Sequence, residues 1–287
     1  MSRSSPGVRR VASILNFIAD HPGQAFALTD LVRALKLSRA TCHALLTGLV
    51  DVGYLYRTSD KTYVLGPALA AIGRTAAGHF SPLQVAQPEM RSLADEFDVV
   101  CTAYFLEGDT MHLRDRAASA SHVGYPVPLG TRMRLRSAQA GVYFAWSPQD
   151  AEDWLQATSP RPSAERRELM FQTMDFVRQN GFSPLIRRPG FGFTGAEMPS
   201  SDIGADSDEL PVQPIVEVDE GRVYPIGALM APIPDGRGKV IFALVMAGFH
   251  SPMTGAQVMA VGHRLANACE RISAFVTGRD TRARAEA

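Results

Sequence analysis

The stretch Ala27–Leu55, ALTDLVRALKLSRATCHALLTGLVDVGYL, decides the fold of the first part of the chain. Thr29 is predicted to cap a short helix that ends near Leu35. A turn at Lys36-Leu37 then leads to Ser38, which is predicted to cap a longer helix. Four apolar residues of that helix recur at helical spacing and predict one buried stripe: Cys42, Leu45, Leu46 and Leu49. The pattern indicates a helix-turn-helix.

The opposite face of the longer helix is predicted to be small and polar. It comprises Ser38, Arg39, Ala40, Thr41, His43, Ala44 and Thr47. Such a face suits a helix that enters the major groove of DNA. The alternative is a plain three-helix bundle whose exposed face happens to be small. In that case His43 is an exposed helix residue without a function.

A hairpin is predicted directly after the longer helix. Two β-prone runs, Tyr54–Arg57 and Thr62–Leu65, flank the turn Thr58–Lys61. A hairpin in this place makes the unit a winged helix, with Arg57 and Lys61 on the wing near DNA phosphates. An earlier helix is predicted to bury Val8, Val11, Ala12, Leu15 and Ile18.

Charge divides the chain in the same way. Residues 1–78 contain nine Lys and Arg against four Asp and Glu, a net charge of +5, so residues 79–287 carry −5 in a chain that is neutral overall. A basic first part favours contact with DNA. Three isolated cysteines indicate neither a disulfide framework nor a zinc knuckle, so no metal and no cofactor are predicted. Without a signal peptide or a long apolar run, we expect a cytoplasmic protein that does not contact membranes.

These residues resemble the IclR (isocitrate lyase regulator) family of bacterial transcription factors. Besides the helix-turn-helix, the resemblance rests on four runs: YVLGPALAAIG at 63–73, PEMRSLADEF at 88–97, PLGTRMRLRSAQAG at 128–141 and APIPDGRGKVIFALVMAG at 231–248. It implies a winged helix-turn-helix domain at residues 1–65, a linker helix at 66–82 and a GAF-like effector-binding domain at 83–287. The mixture of strand and helix patterns after residue 82 independently predicts an α+β domain.

Strands are predicted at Val99–Leu106, Met111–Arg116, His122–Pro128, Met133–Leu135, Val223–Ala231 and Lys239–Ala247, and helices at Gln87–Phe97, Gln149–Ala157, Ser163–Gly181 and Thr254–Thr277. A Pro- and Gly-containing segment, Arg187–Glu220, is predicted to be a long loop.

The resemblance implies an effector site around Leu129–Ala145 and the two late strands. Carried over by position, its residues are Met133, Arg134, Arg136, Gly141, Ala228, Val245 and Ala247. The last three are apolar here, where family members that sense small hydroxy or keto acids have Cys and Ser. We therefore expect a larger, apolar or aromatic carboxylate, with Arg134 or Arg136 paired to its acid group. The alternative is that both arginines are solvated.

The recognition helix also departs from the family. Ala40-Thr41-Cys42-His43-Ala44 stands where the family tends to have Ser-Thr-x-x-Arg, so the commonest guanine contact is missing. The sequence predicts a ligand-responsive regulator of a catabolic operon, with an operator in double-stranded DNA, a small-molecule effector and a second copy of the chain as partners. The resemblance implies a homodimer or a dimer of dimers.

Two other classes of function compete with this prediction. A degenerate family member would bind a ligand or a protein without reading DNA specifically. An enzyme is disfavoured, because HExxH, GxSxG and P-loop motifs are absent. The GxGxxG at Gly190–Gly195 lacks the strand–turn–helix context of a dinucleotide site.

Overall fold

Two compact units make up the chain, Met1–Ser81 and Pro82–Ala287. The computed structural model describes residues 5–19, 21, 23–79, 82–122, 128–188 and 210–278. Within these ranges, no helix combines the length and the apolar character needed to cross a membrane.

The first unit is a winged helix, as predicted. Its elements are α1 (Pro6–Ala19), β1 (Phe26–Ala27), α2 (Leu28–Leu35), α3 (Arg39–Asp51), β2 (Leu55–Arg57), β3 (Thr62–Leu65) and α4 (Pro67–His79). The three strands form one antiparallel sheet in the order β1-β3-β2. Residues from the helices and the wing share one core: Ile14, Ile18, Leu31, Cys42, Leu46, Leu49, Leu55 and Tyr63.

The two helices of the helix-turn-helix begin differently. The Ser38 hydroxyl accepts the Thr41 N–H at 3.1 Å, which confirms Ser38 as the cap of α3. Thr29 was wrongly predicted as the cap of α2, because that helix begins at Leu28. There the Asp30 carboxylate accepts the N–H of Ala27 at 2.9 Å, so an acid in the first turn replaces a capping hydroxyl.

The buried face of α1 is shorter than the predicted one. Ile14 and Ile18 are buried, whereas Val8 is 68% exposed and Ala12 is also exposed. The core of the unit contacts α1 from Val11 onwards, which leaves Val8 in the first turn uncovered.

The second unit is an α+β domain built on a central sheet, as expected for a GAF-like fold. Its elements are α5 (Pro82–Phe97), β4 (Val100–Glu107), β5 (Thr110–Ala118), a 3-10 helix (Ala120–His122), β6 (Arg132–Arg134), α6 (Ser137–Tyr143), α7 (Pro148–Ala157), α8 (Ala164–Asn180), β7 (Ser183–Arg187), β8 (Val212–Pro214), β9 (Val223–Tyr224), β10 (Ile226–Pro234), β11 (Val240–Ala247), β12 (Met253–Thr254) and α9 (Gly255–Val276). Seven strands pair in the order β6-β5-β4-β11-β10-β7-β8, and β9 pairs with β12.

Both faces of the seven-stranded sheet are covered. Alternate residues of β11 separate the two cores, because successive side chains of a strand point to opposite faces. Phe242, Leu244 and Met246 pack with residues of α5 and α9. Ala243, Val245 and Ala247 face the other core, to which α6, α7 and α8 contribute. The second face carries smaller side chains, and the cavity described below lies there.

Several element predictions for the second unit need correction. His122 was predicted to begin a strand but ends the 3-10 helix, and residues 123–127 of that predicted strand lie outside the described residues. The predicted loop Arg187–Glu220 contains β8, because Val212–Pro214 pairs with β7 at the sheet edge. The GxGxxG at Gly190–Gly195 lies outside the described residues.

Candidate functional site

One face of α3 is available to a partner. Ser38, Arg39, Ala40, His43, Ala44 and Thr47 are exposed and Thr41 is half-buried. Cys42, Leu46 and Leu49 on the opposite face are buried in the core of the first unit, so the orientation of the helix is fixed. The Ser38 hydroxyl also donates to the Thr41 Oγ1 at 2.9 Å, so both side chains belong to the start of the helix. Arg39 stands where the helix dipole is positive, which adds to its attraction for a phosphate.

The wing adds positive charge beside this helix. Arg57 ends β2 and Lys61 ends the turn, and both are exposed. Hydrogen bonds between Thr58 and Thr62 close the turn, with their hydroxyls 2.6 Å apart. Lys61 has a positive φ of 60°, which places it at the tip of the tight turn.

Sequence reasoning missed Tyr56 on the same wing. Its side chain is 59% exposed, between the buried Leu55 and the exposed Arg57. An exposed tyrosine beside an arginine suits contact with a sugar–phosphate backbone, to which tyrosine hydroxyls donate hydrogen bonds. The period-two pattern of the strand contained the signal, because Leu55 inward places Tyr56 outward.

A cavity of about 130 Å³ opens on the second face of the central sheet. Two rows of paired residues across the sheet line it: Val100, Ala247, Ala228 and Leu185 in one, and Thr102, Val245 and Met230 in the next. Small residues in the first row leave the space open. Met111, paired with Met133, lines the side towards the β6 edge. Of the residues carried over from the family, the structure brings Met133, Ala228, Val245 and Ala247 together here.

Four residues with polar groups on their side chains line this otherwise apolar cavity: Thr102, Tyr104, Gln139 and Arg187. The Thr102 hydroxyl donates to the Val245 carbonyl at 3.1 Å, so it is engaged within the sheet. The Gln139 Oε1 accepts the N–H of Arg136 at 3.2 Å, so the Gln139 amide is held in place at the start of α6. This bond leaves the two N–H donors of the amide for other partners.

Three of the predicted effector residues lie elsewhere. Arg134 donates to the Thr158 hydroxyl at 3.2 Å and pairs with Asp109 at 3.7 Å, because its side chain projects from the edge strand β6 towards those groups. Arg136 is 7% exposed at the start of α6 and does not line the cavity. At Gly141 a Cβ would come within 2.8 Å of the Thr173 Cβ, so this glycine serves the close packing of α6 on α8.

Among the described residues that line the cavity, the cation is Arg187, which sequence reasoning missed. It ends β7, and its Nη2 donates to the Phe249 carbonyl at 2.8 Å. Its aliphatic part packs close to Gly227, where a Cβ would lie 3.2 Å from the Arg187 Cγ. The sequence hint was the apolar run Pro184–Ile186 just before it, which is typical of a buried strand ending in a polar residue.

All three cysteines are buried and free. Burial raises the pKa of the Cys101 thiol to about 12, and burial raises the pKa of the Cys269 thiol well above its usual range. Neither thiol is ionised near neutral pH, so both act as small apolar residues of the core.

Comparisons with known proteins agree with this architecture. Residues 7–59 match the sequence profile of the IclR helix-turn-helix domain. The HTH-type transcriptional regulator TtgV of Pseudomonas putida is 26% identical over 135 residues, which are 47% of this chain and 51% of TtgV. The match therefore spans about half the length of that relative.

Two further comparisons extend over more of the chain. The HTH-type transcriptional regulator KipR of Bacillus subtilis is 21% identical over 189 residues, 64% of this chain and 75% of KipR. The crystal structure of a proposed IclR transcriptional regulator from Silicibacter sp. TM1040 superimposes with a TM-score of 0.65 at 17% identity, covering 96% of this chain and 97% of that one. At this identity the structural likeness concerns the fold.

Proposed function

We propose, from the premise that this chain belongs to the IclR-type transcriptional regulators, that it binds an operator and regulates a catabolic operon in the cytoplasm in response to an apolar or aromatic carboxylate. The observation that carries the proposal is the exposed polar face of α3 beside a basic wing, in one chain with an apolar cavity. The α3 face and the wing would bind DNA, and the cavity would bind the small molecule that controls it.

The α3 face supports a particular kind of DNA readout. It offers no arginine at the position from which the family's guanine contact is made, so His43 is the remaining side chain long and polar enough to reach base edges from mid-helix. Ala40 and Ala44 suit contact with thymine methyl groups. Arg39, Arg57 and Lys61 would bind phosphates and supply most of the affinity, with DNA shape contributing to specificity.

The size of the cavity favours one aromatic ring or an alkyl group of similar bulk. Its volume of about 130 Å³ is close to the roughly 150 Å³ of an engineered protein cavity that binds benzene. An apolar lining stabilises such a ligand by roughly 25 cal/mol for each Å² of apolar surface removed from water. A two- or three-carbon acid would leave most of that lining without a partner.

Arg187 is the side chain that we assign to the acid group of the effector. It lines the cavity, and the Phe249 carbonyl fixes the position of its guanidinium. A guanidinium has five N–H donors and binds carboxylates in a planar, two-point geometry. The Gln139 amide is placed to add a neutral donor from α6.

Specific binding requires more than one copy of the chain. A single winged helix contacts few base pairs, so we propose a homodimer or a dimer of dimers whose α3 helices are spaced by turns of DNA. Val8 on α1 and Ile72 on α4 are 68% and 48% exposed, and such apolar side chains suit an interface between copies. Effector binding would then shift the population between different spacings of the two α3 helices.

The test of DNA binding is a fluorescence-anisotropy titration of the full chain on its own upstream intergenic DNA and on scrambled DNA, at two salt concentrations. We expect preferential binding to the intergenic DNA, weakening steeply with salt because counterions are released. If fragments covering the neighbouring operons bind no better than scrambled DNA, the first unit does not read sequence. The chain would then be a ligand-binding or protein-interaction module.

The test of the effector uses calorimetric titration with benzoate and with pyruvate and glyoxylate. We expect binding of benzoate and none, or far weaker binding, of the two small acids. Arg187→Gln should remove the preference for the acid over a neutral analogue such as benzamide. Tight binding only of the small acids would contradict the proposed effector class while leaving the DNA result intact.

A further inference from the structure

Two histidines and an aspartate meet on the second unit, outside the cavity. Asp98 precedes β4, His122 ends the 3-10 helix and His250 follows β11, so three separate segments contribute. One ligand atom from each lies within 4.8 Å of the others. The His122 Nδ1 is 3.7 Å from the Asp98 Oδ1, and the His250 Nε2 is 3.5 Å from the Asp98 Oδ2.

These distances approach those between the ligands of a tetrahedral metal ion. Two ligand atoms that are each about 2.1 Å from such an ion stand about 3.4 Å from one another. The two measured separations, 3.5 and 3.7 Å, reach different oxygens of Asp98, and the three ligand atoms of the cluster lie within 4.8 Å of one another. The side chains must therefore move closer together to share one ion. The side chains of Asp98 and His250 are 54% and 63% exposed, so both can adjust by a small rotation.

The orientation of the His122 ring is held by its other nitrogen. The His122 Nε2 lies 3.0 Å from the carbonyl oxygen of Gly248. A carbonyl only accepts hydrogen bonds, so Nε2 carries a ring hydrogen. The Nδ1 faces Asp98 and lies 3.0 and 2.9 Å from the hydroxyls of Ser119 and Ser121, contacts that a bound ion would replace. Metal-binding histidines almost always donate their second nitrogen to such a group, which fixes ring orientation and tautomer. His122 is 8% exposed, so this orientation is held by packing as well.

The carboxylate of Asp98 is oriented too. The hydroxyls of Ser119 and Ser121 both donate to its Oδ1, the first at 2.7 Å. The backbone of Asp98 has a positive φ of 50°, a conformation uncommon for residues other than glycine. Support of this kind around a carboxylate and an imidazole is typical of metal sites, whose outer groups hold the ligands in position.

We propose that Asp98, His122 and His250 form a binding site for a divalent transition-metal ion of the zinc type, with a fourth position open to water. Two imidazoles and one carboxylate suit Zn²⁺, Co²⁺ or Ni²⁺, whereas Mg²⁺ and Ca²⁺ require mainly oxygen ligands. The ion would tie together the start of β4, the 3-10 helix and the end of β11.

The experiment uses the full chain without an affinity tag, after treatment with EDTA. Titration with Co²⁺ is followed by its visible absorption, and titration with Zn²⁺ by calorimetry. We expect one site per chain with the absorption of tetrahedral Co²⁺, competition by Zn²⁺ and no competition by Mg²⁺. The absence of such a site, or equal competition by Mg²⁺, would overturn the proposal.

The variants separate the site from histidines elsewhere. His250→Ala removes an exposed ligand, so the fold should survive, and we expect at least a ~10-fold loss of Co²⁺ affinity. The matched control is His112→Ala, because His112 pairs with a carboxylate of Glu107 at 3.6 Å but is not part of the three-residue cluster. Asp98→Asn provides a second test through another ligand. Unchanged affinity in His250→Ala and Asp98→Asn, or the same loss in His112→Ala, would place the bound metal elsewhere.

Discussion

The two units differ in how far apart along the chain their candidate functional residues lie. The residues of the first unit that we predict to contact DNA fall within one helix and the adjoining wing, from Ser38 to Lys61. The cavity of the second unit is lined by residues between Val100 and Gly248, from β4, β5, β6, α6, β7, β8, β10 and β11. A surface of the first kind is encoded by local periodicity, whereas one of the second kind depends on strand order and register.

The largest expected effect is the loss of effector affinity when the cavity is filled. Replacing Ala247 by Phe places a ring in the row that Ala247 shares with Val100 and Ala228, and fills the space. We expect at least a ~100-fold loss of benzoate affinity, about 3 kcal/mol, measured by calorimetry. DNA binding without effector should stay unchanged. Ala157→Phe, on the exposed end of α7, is the control for an added ring.

The second prediction sharpens the account of the recognition helix. His43→Ala should reduce the discrimination between operator and scrambled DNA by about 1–3 kcal/mol, because it removes the side chain assigned to base edges. Lys61→Ala should weaken binding to both DNAs alike and reduce the salt dependence, because a phosphate contact carries no sequence information. Anisotropy titrations of both variants on both DNAs check this, and a reversal of the two patterns would contradict the assignment.

A smaller effect is expected on the stability of the first unit, from a substitution in α3. Gly48 lies within α3, and a Cβ there would meet no other atom within 4 Å. Gly48→Ala should therefore stabilise the first unit by about 1 kcal/mol, since glycine disfavours helix interiors by that amount. Thermal unfolding followed by circular dichroism measures the change. Ala substitution of Gly66, where a Cβ would lie 2.2 Å from the Gly53 carbonyl oxygen, is expected to destabilise the same unit.

The smallest effect concerns a contact between distant parts of the chain. Arg271 on α9 binds both oxygens of Glu89 on α5, at 2.8 and 2.7 Å. The hydrogen bond from Arg271 lowers the pKa of Glu89 below its usual 4.5. The pair therefore stabilises the fold above that pH, and the contribution is lost as the pH falls through the lowered pKa.

Urea unfolding at neutral pH and below pH 4 measures this contribution. Glu89→Gln should cost about 0.2–1 kcal/mol at neutral pH, as is typical of a partly exposed ion pair, and less at the acidic pH. Glu270→Gln on α9 is the control for the loss of one acidic group. An equal cost of Glu89→Gln at both pH values would show that the ion pair is not the cause.

The sequence predicted the local features well. The helical spacing of Cys42, Leu46 and Leu49 identified both the buried and the exposed face of α3. The predicted start of α2 failed because an acid in the first turn serves instead of Thr29, and several groups are able to satisfy a helix start. At α1 the apolar pattern continued past the core, so Val8 was wrongly placed inside.

The cavity was predicted only where the resemblance supplied positions. Ala228, Val245 and Ala247 line it, but their meeting follows from the pairing of β10 with β11, which no local pattern reveals. Arg187 was missed because its place depends on β7 pairing with β10, a strand that follows much later in the chain. Arg134, predicted for the same site, does not line the cavity, because the direction of a side chain at a sheet edge depends on its partners, here Asp109 and Thr158.

Gly248 lies between the cavity and His122. It lines the cavity on one side, and on the other its carbonyl oxygen holds the imidazole of His122. A Cβ at this residue would lie 2.6 Å from the His122 Nε2, so the Gly248 backbone packs closely against the imidazole while it also lines the cavity. If an ion bound by Asp98, His122 and His250 changes the affinity of the cavity for its effector, the effector must change the affinity for the ion by the same factor. Such reciprocity would let the protein report the coincidence of two chemical signals rather than the presence of either one.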